Sequence, residues 1–192
     1  MQENKTMKNT NSNRMLRLVI SALLTAMTCV ATMIIKIPIP ATNGYINLGD
    51  SIVLLSGFIL GPWYGALTAG IGSALADLLS GYAVFAPATF IIKAAMAAVA
   101  ALLVKNVYKK NIFYITASCL LSELIMITGY FVFESLIMGY GMGALAGVPG
   151  NLIQGGAGVI IAMIILPAVK RLDISALRSI EKSPKQRDGK DS

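Results

Sequence analysis

Apolar residues run through this chain in five long stretches, 18–35, 51–79, 88–104, 112–137 and 149–169, each with few or no charges. The first holds 18 uncharged residues, which at helical rise reach roughly 27 Å, about the thickness of a hydrocarbon core. Taken alone it resembles the apolar region of a signal peptide, but no small-residue cleavage site follows and four further apolar stretches do. The second, 51–79, is interrupted by Gly61-Pro62-Trp63-Tyr64-Gly65. Proline removes a backbone donor and glycine loosens a helix, so the pattern predicts two short helices joined by a turn.

Composition moves the chain out of the soluble class: 56% of residues are hydrophobic and the mean hydropathy is +0.71. Charge then orients it. Basic residues gather before the first stretch (Lys5, Lys8, Arg14, Arg17), between the fourth and fifth helices (Lys105, Lys109, Lys110), and from Lys170 to Lys190. Segments 80–87 and 138–148 contain no Lys or Arg, and 36–50 contains Lys36 alone. All three clusters fall on the cytoplasmic side only if 51–79 crosses twice. The expectation is an all-α membrane protein with six transmembrane helices and both termini cytoplasmic. Residues 1–14 form a cytoplasmic N-terminal segment, 15–172 the membrane domain, and 173–192 a basic, disordered cytoplasmic tail. The net charge of +7 is accounted for by loops facing anionic lipid rather than by a nucleic acid.

Several chemistries are absent. There is no histidine, which excludes His-based triads and nearly every histidine-containing metal site. Cys29 and Cys119 fall in mid-span and cannot form a zinc site alone. No metal site, catalytic residue or phosphate-cradling GxxxxGK[ST] motif is predicted. Any energy for active transport comes from another protein.

Ionisable groups inside a membrane are costly and mark functional sites. Asp77 ends a stripe of small residues (Ala66, Ala69, Gly70, Ser73, Ala74) at helical spacing, a stripe suited to close helix packing. Lys93 lies in the outer half of the next helix, where it either pairs with Asp77 or meets a solute. Glu134 and Tyr130 share a helical face. Asn151 and Gln154 lie one turn apart behind Pro149. Tyr45, Asn47 and Asp50 precede the second helix, where Asp50 suits a helix start. Tyr82 and Phe85 occupy an outer loop. Together Tyr45, Asn47, Asp77, Tyr82, Phe85, Lys93, Tyr130, Glu134, Asn151 and Gln154 are the candidate binding residues, at one depth near the outer surface. Counting Asp50, Asp77 and Glu134 against Lys93, the cavity is net negative or neutral and suits a flat aromatic or weakly cationic solute. Glu123, near mid-span, has no assigned role.

Four segments carry a family resemblance: Tyr45-Ile46-Asn47-Leu48-Gly49-Asp50, Gly61-Pro62-Trp63-Tyr64-Gly65, Gly72-Ser73-Ala74-Leu75-Ala76-Asp77-Leu78-Leu79-Ser80-Gly81-Tyr82 and Phe90-Ile91-Ile92-Lys93. Over residues 15–172 the chain resembles the substrate-binding S components of energy-coupling factor (ECF) vitamin transporters, nearest the branch for riboflavin, hydroxymethylpyrimidine or pyridoxine. The resemblance implies a six-helix bundle that captures a vitamin from outside. It also implies docking on a transmembrane scaffold that carries two cytoplasmic ATPases, with ATP used by those partners and no cofactor in this chain. The family's first helix meets the scaffold through an Ala-x-x-x-Ala face, matched here by Ala22 and Ala26. The sole tryptophan, Trp63, sits at the cytoplasmic turn, so the tryptophan-lined pocket of thiamine-specific members is not available. Two competing readings are a stand-alone proton-coupled carrier using Glu123 and Glu134, and a membrane-embedded hydrolase, for which no metal helix or nucleophile elbow is present.

Overall fold

The computed structural model describes residues 2–104 and 111–171, with side chains from Arg14 onward. The predicted tail 173–192 and the basic cluster Lys105 to Lys110 lie outside the described residues.

Helix α1 spans Gln2–Ile34, so it starts within the segment read as an N-terminal extension. It is followed by a feature that an all-α reading did not include, an antiparallel hairpin of β1 (Ile37–Ile39) and β2 (Gly44–Ile46). Ile37 pairs with Ile46, Pro38 with Tyr45 and Ile39 with Gly44. The turn closes through Thr42 N donating to Ile39 O at 3.2 Å, and Asn43 takes a left-handed backbone (φ 54°), a conformation asparagine tolerates better than most residues.

Helix α2 covers Asp50–Leu79 and breaks at Gly61 (φ 80°, ψ −179°), followed by Pro62. A Cβ built on Gly65 would lie 2.8 Å from the Gly57 Cα. In an unbroken helix these residues are about 12 Å apart. The chain therefore doubles back into two arms, 50–60 and 62–79, with the glycines allowing the close approach. The turn foreseen at Gly61 to Gly65 is present, but the arms are unequal. The first has 11 residues by its bounds, about 16 Å of rise, roughly half of a bilayer core. Residues 50–58 are all buried, so the arm is enclosed by protein instead of facing lipid.

Helix α3 (Ala86–Leu103) starts with Pro87 in its first turn, where the missing N–H costs nothing. Helix α4 (Ile112–Val132) is capped by Asn111, whose Oδ1 accepts from Phe113 N, and runs into a π-helical turn, Phe133–Ile137. A 3-10 segment, Gly141–Gly147, leads into α5 (Val148–Arg171). Among the described residues, five helical stretches are long and apolar enough to cross a membrane: Arg14–Ile34, Asp50–Leu79, Ala86–Leu103, Ile112–Ile137 and Gly141–Arg171. The core between them has two parts. One joins Leu54, Leu55, Phe58, Ile115, Cys119 and Leu166; the other centres on Val53, Ala69, Met96, Ala97 and Met126.

Candidate functional site

The polar residues foreseen along separate helices come together beside the hairpin. A partly open cavity is lined by Thr32 from α1, by Ile39, Gly44 and Tyr45 from the hairpin, and by Asn47. Its other walls are Ser73 and Asp77 from α2, Phe85, Thr89 and Lys93 at and in α3, Tyr130 and Glu134 from α4 and its π turn, and Asn151 and Gln154 from α5. Nine of the ten candidate residues are on this surface.

The tenth, Tyr82, is not. It packs against Tyr45, ring centroids 4.5 Å apart, and lines a shallower outer hollow with Pro38, Pro40, Asn43, Val84 and Met138. That hollow shares Ile39, Gly44 and Phe85 with the cavity. Tyr82 thus supports the rim from behind Tyr45.

Of the two roles left open for Lys93, pairing with Asp77 is not what the structure shows. Lys93 Nζ donates to Asp50 Oδ1, not to Asp77. Lys93 sits seven residues beyond Ala86, about 10 Å along the helix axis, and Asp50 meets it at that depth. Asp50 accordingly does not cap α2: Gly49 holds the cap position without a side-chain bond, and the Asp50 carboxylate is fully buried. Gln154 Nε2 donates to Asp50 Oδ2 at 2.7 Å, while Gln154 Oε1 accepts from Asn47 N at 2.8 Å. Both ends of the Gln154 amide are engaged. A buried charge is tolerated when paired and fully hydrogen-bonded, and this network forms the cavity floor. It also satisfies the non-helical chain at 47–49, where Asn47 N donates to Gln154 Oε1 and Gly49 N to Asn47 Oδ1.

Asp77 has a different partner. Tyr45 Oη donates to Asp77 Oδ1 at 2.5 Å. Burial, then the Asp77 charge, raises the Tyr45 phenol well above its ordinary range, so it remains a donor. Asp77 Oδ2 is buried without a hydrogen-bond partner, as are Glu134 Oε2 and the hydroxyls of Ser73 and Thr32. The Tyr130 hydroxyl lies 3.0 Å from that of Thr89, and Lys93 Nζ lies 5.5 Å from the Tyr130 ring centroid. Phe85 and Phe133, centroids 5.4 Å apart, extend the aromatic wall.

Glu134 is carried by the π turn and faces Gly44 and Gly147: a Cβ on either would lie 3.3 and 2.9 Å from its carboxylate oxygens. Glu123 is buried below the floor with neither oxygen hydrogen-bonded, against Gly155 and Gly158 of α5. Trp63 is 82% exposed at the α2 break and is not among the residues that line the cavity. Cys29 and Cys119 are free thiols. Ala22 and Ala26 are exposed on α1 beside the exposed Leu23, Met27 and Val30.

Sequence reasoning missed Thr32, Ile39, Gly44, Ser73 and Thr89 on the walls and Asp50 as the hub. Thr89 was open to inference, since it precedes Lys93 by four residues on one helical face. Ile39 and Gly44 required the hairpin.

Apolar helices enclosing a polar, aromatic-sided cavity beside a hairpin define a multi-pass membrane protein built to hold a small solute. Residues 12–171 match the family described as ECF-type riboflavin transporter, S component. The thiamine precursor transporter HmpT of Lactococcus lactis subsp. cremoris is 30% identical over 169 residues, 88% of this chain and 96% of that one. An uncharacterized protein of Pyrococcus woesei is 35% identical over 132 residues, 69% of this chain and 86% of its own. A solved structure reported as the S component of a bacterial ECF transporter has the same fold, with TM-score 0.66 and 24% identity over 81% of this chain and 96% of that one. The chain belongs to the S-component family of ECF transporters, and is an integral membrane protein of vitamin uptake.

Proposed function

We propose that this chain is the subunit that captures a neutral or weakly basic heteroaromatic vitamin, namely pyridoxine, hydroxymethylpyrimidine or riboflavin, from outside the cell. One observation carries the reading: side chains from five helices and the hairpin converge on a single cavity with aromatic walls and unsatisfied polar groups, the usual division of labour in a small-molecule site. The family description names riboflavin and the Lactococcus relative a thiamine precursor, both consistent with a planar nitrogen heterocycle. Tyr45, Phe85 and Tyr130 supply ring contacts; Asn47, Asp77, Lys93, Glu134 and Asn151 fix orientation. In this reading the chain crosses the membrane six times with both termini cytoplasmic. It docks through Ala22 and Ala26 on a transmembrane scaffold bearing two ATPases, and has no cofactor of its own because ATP is used by those partners.

Native mass spectrometry of gently purified protein tests the reading. A co-purifying B vitamin supports it; no ligand, together with no tight binding to any B vitamin, refutes it. A proton-coupled carrier is the second reading, favoured by the Glu123 carboxyl buried without a partner. Uptake by the reconstituted chain alone, abolished when the proton gradient is collapsed, would establish that alternative.

A further inference from the structure

The cation of the cavity is already neutralised. Lys93 is bound to Asp50, and Gln154 takes the other Asp50 oxygen, so among the residues that line the cavity neither a ligand carboxylate nor a phosphate finds an uncommitted positive charge. Among the buried, unpartnered atoms of the cavity lining, the two that can only accept when ionised are carboxylate oxygens. Asp77 is 2% exposed and Glu134 3% exposed, and each keeps one buried carboxylate oxygen to which no neighbour donates in hydrogen-bond geometry, although a threonine hydroxyl lies near each carboxylate, Thr89 by Asp77 and Thr42 by Glu134. A buried acceptor left unpaired is unfavourable, and an ionised carboxylate can only accept. The unpartnered hydroxyls of Ser73 and Thr32 do not discriminate, because a hydroxyl both donates and accepts.

We infer that Asp77 and Glu134 determine specificity by reading N–H or O–H donors on the ligand, so the cavity takes a neutral or cationic, donor-bearing nitrogen heterocycle and excludes its phosphate ester. This rests on the heteroaromatic reading above. Asp77 acts from α2 and Glu134 from the π turn after α4, two separate walls, so two donor groups on one ligand are read at once. Tyr45 fixes which Asp77 oxygen is free: its hydroxyl donates to Oδ1, leaving Oδ2 for the solute. A phosphate monoester brings two negative charges and acceptor oxygens to these carboxylates, a mismatch in both charge and hydrogen bonding.

The test uses the full chain in lipid nanodiscs and titrates 4-amino-5-hydroxymethyl-2-methylpyrimidine, pyridoxine and riboflavin, each beside its phosphate monoester. At least one parent compound should bind, with its ester weaker by at least about tenfold, the scale of one unsatisfied buried polar group. Asp77→Asn and Glu134→Gln should each weaken the parent by about tenfold or more and narrow the gap to the ester, since each removes a negative charge while keeping shape. If a parent and its ester bind equally, or both variants stay within about threefold of the unaltered protein, the specificity inference is overturned while the heteroaromatic reading stands. If none of the three parents binds, that reading is refuted and the inference with it. Thermal unfolding checks that the variants fold. Should one not fold, the other and the parent-to-ester ratio of the unaltered chain decide the matter.

Discussion

Asp50 is a hub: its two oxygens hold α3 through Lys93 and α5 through Gln154. Removing one member of a buried pair leaves an uncompensated charge, so Asp50→Ala or Lys93→Met should each lower stability by about 3–5 kcal/mol. The double variant Asp50→Leu/Lys93→Met should recover part of that loss, which a thermal-unfolding double-mutant cycle in detergent would register. The glycines around the hub are specific in the same way. A Cβ on Gly158 would sit 2.8 Å from the Asp50 Cβ and 3.2 Å from Glu123 Oε1, whereas one on Gly156 meets nothing within 4 Å. Gly158→Ala should therefore destabilise by about 1–3 kcal/mol, and Gly156→Ala should unfold at the temperature of the unaltered chain. The identity of the buried polar residues was legible in the sequence because a charge in an apolar run stands out. Their pairing was not. Asp77 and Asp50 both lie within reach of Lys93 in a linear reading, and only the depth at which α2 begins chooses between them.

At the level of elements, helix positions follow from hydrophobic runs and from Pro and Gly, and these located the helices and the break in α2. Gly61 owes its role to backbone alone, since a Cβ there meets nothing within 4 Å. Its φ of 80° with ψ of −179° belongs to a region that only glycine occupies readily, so Gly61→Ala should cost about 1–3 kcal/mol by strain. A lowered unfolding temperature would show this, and an unchanged one would assign the break to Pro62. The hairpin escaped because its strands are three residues each and two prolines obscure the alternation. The Asn43-Gly44 pair was nevertheless a turn signal between apolar residues. The π turn bearing Glu134 has no sequence signature, as it depends on one extra residue per turn against packed neighbours.

For the molecule as a whole, the proposed six-crossing arrangement would place Trp63 and the 80–85 loop on opposite sides of the membrane. In a chain with Cys29 and Cys119 replaced by alanine, Trp63→Cys should react with impermeant maleimide only from the cytoplasmic side, and Ala83→Cys only from outside. Reaction of both from one side would overturn the topology. The exposed Ala22 and Ala26 face away from the cavity, so Ala22→Trp or Ala26→Trp should abolish co-purification with a scaffold subunit while ligand affinity stays unchanged. Loss of both would place these residues in the fold instead of the docking face.

The short arm 50–60 has a consequence for biogenesis. Eleven residues cannot be held in a bilayer on their own, and their leading carboxylate has no counter-charge until α3 has left the ribosome, nor its amide donor until α5 has. Nascent chains halted before residue 148 would thus be integrated yet unable to retain any solute, and competence would arise only once the final helix slides in to lock the floor.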